Sequence, residues 1–235
     1  MRTGFTNAFI NKPLKKYYSY HGILMPCNIQ PDPEPFASYE IKPGGGPVVT
    51  TTFEAIMKGN FDKSDFDYDL VHNAVESGFY GPYLGQKRED FGGGLYLYDI
   101  FRIVLAWDTV SLPFDCTILA AKIKATLTDK WSSFIFSIVV RNGMPLYPHI
   151  PVERRDYNFA MYSRYGGSAE ITDPGPWELV FDEVGRSWIN KEGYSKFILM
   201  SDRDFVSQPP VANDTIGFMD MLQFWKLEVT YQESA

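Results

Sequence analysis

The residues whose types and spacing could do chemistry fall into three groups. Asp62, Asp65, Asp67 and Asp69 recur in one short acidic run. Hard cations such as Ca2+ need several carboxylate oxygens together, so Asp65, Asp67 and Asp69 are the candidate metal ligands. With Glu76 they copy the acidic positions of an EF-hand loop, but Leu70 stands where that loop needs glycine for its sharp turn. A different loop site for Ca2+ is the one cofactor expectation. The competing reading is a row of solvated aspartates alternating with Phe66 and Tyr68. The second group is aromatic: Trp131, Tyr147, Tyr157, Tyr162 and Tyr165. Flat rings with a polar handle stack on sugar faces, which makes these the candidate glycan contacts. The same rings could instead pack loops down or bury against a neighbouring subunit.

The third group is catalytic, and it is empty. His21, His72 and His149 form neither H-x-x-x-H nor H-E-x-x-H, so zinc is not expected. No G-x-S-x-G elbow occurs. Glycosidases need two facing carboxylates, but with 29 acidic residues some pair always has suitable spacing. Gly44–Gly46 and Gly92–Gly94 lack the Lys-Ser/Thr of a phosphate loop and read as joints or tight turns. The chain is therefore expected not to be an enzyme, with action on polysaccharide the remotest of three readings.

Net charge is −7, and the densest basic spots are the pairs Lys15-Lys16 and Arg154-Arg155. That excludes a phosphate-binding footprint, and with it nucleic acid as a partner. No stretch has the ~20 apolar residues that a membrane span needs. Residues 1–20 lack the apolar core of a secretory signal, so synthesis in a host cytoplasm is expected. Two distant cysteines, Cys27 and Cys116, make no disulfide framework and read as buried thiols.

The elements that must position these groups are strands. Residues 1–46 form a separate arm rich in proline, which forbids regular helix and central strand, so an extended arm is expected. Yet it carries Phe5, Phe9, Ile10, Tyr17, Tyr18 and Tyr20, more apolar side chains than a free linker needs. The expectation is an anchor that docks on the body, on another copy of the chain or on a larger assembly. Residues 47–235 form the body. Val48–Phe53 is β-branched. Ile100–Trp107 is an apolar run of strand length broken only by Arg102, which reads as a buried central strand. Leu119, Ala121, Ile123, Ala125 and Leu127 alternate with Lys122, Lys124 and Thr126, giving one dry and one wet face. The period recurs at Phe134–Val140, Trp177–Phe181 and Leu227–Tyr231. One helical turn is expected over Asp182–Asn190. The fold class is all-β, an antiparallel β-sandwich of jelly-roll type with an extended N-terminal arm.

Two segments carry a resemblance. One is Arg102–Thr109 with Leu112-Pro113 and Ile118–Lys124. The other runs from Asn142-Gly143 through Tyr147-Pro148-His149, Asp156-Tyr157-Asn158, Tyr162-Ser163 and Gly166-Gly167-Ser168. A closing half follows at Gly185, Trp188–Lys191, Gly193, Lys196-Phe197, Ser201, Arg203-Asp204 and Leu227–Tyr231. Together they resemble the phage- and virion-associated branch of the DNRLRE (disaggregatase-related) β-sandwich modules, over residues 48–233. Trp107 stands where that family more often has Phe, Met200 where it often has Arg, and Glu76–Gly94 is an insert. The resemblance implies a non-catalytic building or adhesion part related to carbohydrate-binding modules. The expected role is a structural virion component (capsid decoration, fibre or tail-associated) that works with other virion proteins or copies of itself. The alternative is a glycan-binding adhesion module.

Overall fold

The computed structural model describes residues 17–20, 23–26, 45–132, 135–143, 145–218 and 221–234, the first two segments as backbone only. The chain divides into two units, Met1–Glu40 and Ile41–Ala235. In the first, β1 (Tyr17–Tyr20) pairs antiparallel with β2 (Ile23–Pro26), Tyr17 opposite Pro26 and Tyr20 opposite Ile23. The pairing adds a two-stranded hairpin to the extended arm read from the sequence. Residues 14–25 hold no proline, so their backbone N–H groups are free to form a ladder. Phe5, Phe9, Ile10, His21 and Cys27 lie outside the described residues.

In the second unit the strands are β3 (Val48–Asp65), β4 (Gly78–Phe79), β5 (Tyr83–Asp90), β6 (Tyr96–Asp108), β7 (Thr117–Ser132), β8 (Ser137–Arg141), β9 (Gly167–Glu170), β10 (Gly175–Phe181), β11 (Tyr194–Ser201), β12 (Asp214–Phe218) and β13 (Lys226–Gln232). All pair antiparallel. The order β10-β9-β8-β11-β6-β5-β12-β7 closes on itself through β10–β7, an eight-strand circuit, while β13 and β3 give a second route from β7 to β6. The all-β architecture expected from the sequence holds, with the edges of a jelly-roll-like sandwich joined into a barrel. β3 is longer than the expected strand. Its first part pairs with β13, and after a register shift at Ala55/Met57 it pairs with β6. A bulge of this kind lets one strand serve two sheets.

The alternation read in β7 has its predicted faces. Ala121, Ile123, Ala125 and Leu127 enter the main core with Trp107, Trp177, Phe197 and Trp225. Lys122 and Lys124 stay outside, 3.1 and 2.6 Å from the Glu228 carboxylate on β13. β6 is apolar throughout because both of its faces are covered. Ile103, Leu105 and Trp107 face the main core. Ile100, Val104 and Ala106 face a second cluster with Phe61, Val71, Tyr157, Tyr162 and Ile198. That second cluster lies under the loop between β8 and β9.

Among the described residues three short α-helices are present: α1 (Tyr68–His72), α2 (Glu183–Arg186) and α3 (Asp202–Phe205). The expected turn is α2, capped by Asp182, which accepts from Gly185 N at 2.7 Å. α1 and α3 are additions to the expected elements. Four or five residues carry no 3.6-residue period, so their helical state follows from caps and packing.

Gly85 sits on β5 with φ +121°, and a Cβ there would lie 2.1 Å from the Asp214 carbonyl oxygen on β12. Gly85→Ala therefore meets both a forbidden backbone region and a backbone clash. It is expected to lose at least about 2 kcal/mol of stability, read as a fall in the urea midpoint with an unchanged slope.

Candidate functional site

Among the described residues the titratable groups converge on Arg102. Its side chain is fully buried, on the β6 face that meets the second cluster. Nε and Nη2 donate to the two carboxylate oxygens of Asp204, each at 2.7 Å. Nη1 donates to Tyr157 O at 2.9 Å and Nη2 also to His72 O at 3.0 Å. The guanidinium lies 4.3 Å from the Tyr157 ring centroid, a cation–π contact. Burial alone would push the Asp204 carboxyl up, but the Arg102 charge and the hydrogen bonds of Arg102 and His72 hold it below the ordinary 3.8. Nearby, Arg141 donates to Phe159 O and Tyr162 O. Burial and the Arg102 charge push its guanidinium down to about 10.

His72 Nδ1 is 2.9 Å from Asp204 Oδ1, and His72 Nε2 is 2.9 Å from Ser207 Oγ. The order Ser–His–Asp has the connectivity of a nucleophilic triad, and Ser207 is exposed with φ 55°. The surroundings give these atoms another use. Ser207 N donates to Asp204 O at 3.1 Å and Gln208 N to Arg203 O at 2.8 Å, which is the left-handed cap closing α3. The N–H groups of Ser207 and Gln208 are thus taken up by the cap, and the Asp204 charge is matched by Arg102.

The remaining polar contacts tie the β8–β9 loop down. Asp156 accepts from His149 N at 3.0 Å and Glu153 N at 2.8 Å. Tyr162 donates its hydroxyl to Asp156 O at 2.8 Å, and Tyr157 donates to Val71 O at 3.2 Å. Lys196 Nζ donates to Pro145 O at 2.7 Å and Pro148 O at 2.9 Å.

These contacts correct the aromatic group read from the sequence. Tyr157 is 0% and Tyr162 2% exposed, so neither ring has a face to offer a sugar. Tyr147 is half-buried against His149 and Tyr162. Tyr165 is half-buried, with its hydroxyl on Ser168 and its ring beside Phe205. The signal that could have flagged the burial is Arg102 itself, since a charge inside an apolar strand requires a cover. Among the five, Trp131 alone has a ring that is largely open, at 41%.

The acidic run is likewise accounted for locally. Asp67 caps α1 by accepting from Asp69 N at 2.9 Å, and Asp65 accepts from Asp67 N at 3.2 Å. Among the described residues no three His, Cys, Asp or Glu side chains gather as a metal site. Cys116 is buried at the edge of the main core.

The open chemistry lies across β6-β5-β12-β7, on the face of β6 opposite Arg102. Phe101, Gly85, Thr215 and Trp131 are direct cross-strand partners in that order, so two small residues separate two rings. The dip is a cleft of about 270 Å³ lined by Tyr80, Tyr83, Lys87, Phe101, Trp131, Asn213 and Thr215. Tyr83 stands edge-on to Trp131, centroids 5.5 Å apart, and lies 5.9 Å from Tyr80.

No family model and no curated protein matches the chain. A solved structure titled "Cryo-EM structure of Mud crab tombus-like virus at 3.3 Angstroms resolution" is similar at 10% identity, over 96% of this chain and 94% of that one, with a TM-score of 0.29. At that score the likeness supports neither a family nor a function.

Asp204→Asn leaves the Arg102 charge buried without its counter-charge and is expected to cost about 3–5 kcal/mol at neutral pH. Because the folded Asp204 carboxyl is held below 3.8, its contribution is complete above that pH and is lost as the pH falls below it. Urea-unfolding midpoints between pH 7 and pH 2 check both statements. Wild-type stability should drop on the acid limb, and the Asn variant should drop less.

Proposed function

We propose that this chain is a non-catalytic structural protein of a virus particle, a capsid-decorating, fibre or tail-associated component held in place by the arm of residues 1–46. The observation that carries this reading is how much large apolar surface the body leaves uncovered while its interior is closed. Phe114 is 70%, Ile135 71% and Leu146 68% exposed. Phe66 and Phe91 are each more than half exposed and touch edge to face, 5.8 Å apart, where the end of β3 meets the β5–β6 turn. Side chains of this kind are what neighbouring subunits cover in an assembly. The apolar content of the arm points the same way, as does the resemblance to the virion-associated DNRLRE-type modules. The expected partners are other virion proteins or further copies of the chain, and the expected location is the particle, after synthesis in the host cytoplasm. Among the described residues no helix is long and apolar enough to cross a membrane.

Two measurements test this. Removal of residues 1–46 is expected to leave a folded body that no longer co-sediments with particles, and unchanged incorporation would overturn the anchoring role. Treatment of the full chain with a fluorophosphonate is expected to leave its intact mass unchanged. A covalent adduct at Ser207 would instead show a competent nucleophile and overturn the non-catalytic reading.

A further inference from the structure

We propose that the trough across β6-β5-β12-β7 is a binding site for a neutral glycan, with a hexopyranose ring seated on Trp131 and Tyr83. The sheet register builds this site. Phe101 and Trp131 stand on the outer strands of a four-strand row, with Gly85 and Thr215 between them. Three inter-strand spacings, roughly 14 Å, separate the outer two backbones, and the Tyr83 ring stands between their side chains, 6.0 Å from Phe101 and 5.5 Å from Trp131, so a sugar would rest on Tyr83 and Trp131 rather than between the outer rings. Gly85 cannot carry a side chain there, because a Cβ would meet the Asp214 carbonyl oxygen. A Cβ at Gly217, one row away on β12, would lie 3.4 Å from the six-membered ring of Trp131, so the indole reaches over that strand.

The lining has the mixed character that sugars need. The C–H face of a pyranose is apolar and stacks on aromatic rings, while its hydroxyls need donors and acceptors at the rim. Trp131 and Tyr80 are open to solvent at 41% and 56%, with Tyr83 between them. Thr215 donates its hydroxyl to Asn213 Oδ1, leaving the Thr215 oxygen as acceptor and the Asn213 amide N–H groups as donors. Lys87 adds an ammonium.

Charge decides the class of glycan. Lys87 Nζ lies 2.9 Å from Glu89 and 3.9 Å from Asp99. Its charge is thus balanced within the site, and nothing remains to attract a carboxylate or sulfate on the ligand. The volume of about 270 Å³ lies at or below the small end of ligand pockets, which suits one ring of a longer chain.

The test uses the full chain with cellohexaose, maltohexaose, mannohexaose and xylohexaose as neutral probes and oligogalacturonate as the acidic one. Acrylamide quenching of tryptophan fluorescence is the readout, with Trp131→Ala as its control, because Trp131 is exposed, Trp188 is half-buried beside Phe197, and Trp107, Trp177 and Trp225 are buried. At least one neutral probe is expected to protect the fluorescence, with a dissociation constant below about 10 mM. Trp131→Ala and Tyr80→Ala should each weaken that binding roughly tenfold or more, measured by calorimetry. Phe114→Ala, exposed on a different loop, should leave it unchanged. Because Tyr80 is surface-exposed, its variant keeps the test decisive if Trp131→Ala fails to fold. The proposal is overturned if no neutral probe binds, if binding survives the Tyr80 change undiminished, or if the acidic probe binds more tightly than every neutral one.

Discussion

The body depends on one buried ion pair. Arg102 and Asp204 are both out of solvent, a placement whose desolvation cost is several kcal/mol per charge. The structure offsets that cost with a two-pronged guanidinium–carboxylate contact, two backbone carbonyl acceptors and an aromatic face. Each of these partners arrives from a different part of the chain. Tyr157 belongs to the β8–β9 loop, His72 to α1 and Asp204 to α3. Satisfying one charge therefore requires three irregular segments to sit on the outer face of β6.

That requirement explains why β6 is apolar on both faces. A strand of a two-layer sandwich usually has one wet face. Here the second face is covered by α1 and a long loop, and the apolar side chains Val104, Ile198 and Met200 complete a second cluster around the pair. It also explains where the polar chemistry has gone. The Ser207–His72–Asp204 chain closes the end of a short helix, Asp156 organises the turn before Tyr157, and Lys196 gathers the carbonyls of the Pro145–Pro148 segment. These contacts hold the β8–β9 loop and the end of α3 in place.

What remains for recognition is surface. The trough over β5 and β12 owes its shape to two positions where a large side chain does not fit, Gly85 and Gly217. Phe66, Phe91, Phe114, Ile135 and Leu146 are exposed outside the strands and do not line that cleft. The two surfaces differ in character: one is a ring-lined dip with hydrogen-bonding groups, the other a scatter of bare hydrocarbon. A body that is held in an assembly by the second could present the first.

The sequence by itself determined the all-β class and the strands with a clear apolar pattern, while β4, β5, β9, β11 and β12 carried no pattern that was read as a strand. The period of two in β7 and the unbroken run of β6 are local patterns set by which side of a pleat meets water, and they are legible residue by residue. The helical turn expected over Asp182–Asn190 was legible as well, although only Glu183–Arg186 is α-helical and its cap at Asp182 emerged from the structure. Only the tertiary structure decided which aromatics are open and which carboxylates are free. Tyr157 and Tyr162 have the composition of a binding loop, but the buried charge of Arg102, more than 50 residues earlier in the chain, draws that loop inward. Asp65 and Asp67 read equally as ligands or as turn-formers until the fold shows whose N–H they accept. The trough was invisible because Phe101, Gly85, Thr215 and Trp131 become neighbours through strand register alone. Periodicity fixes which face a side chain takes; which partner stands beside it is set by pairings between distant segments, and no local pattern encodes those.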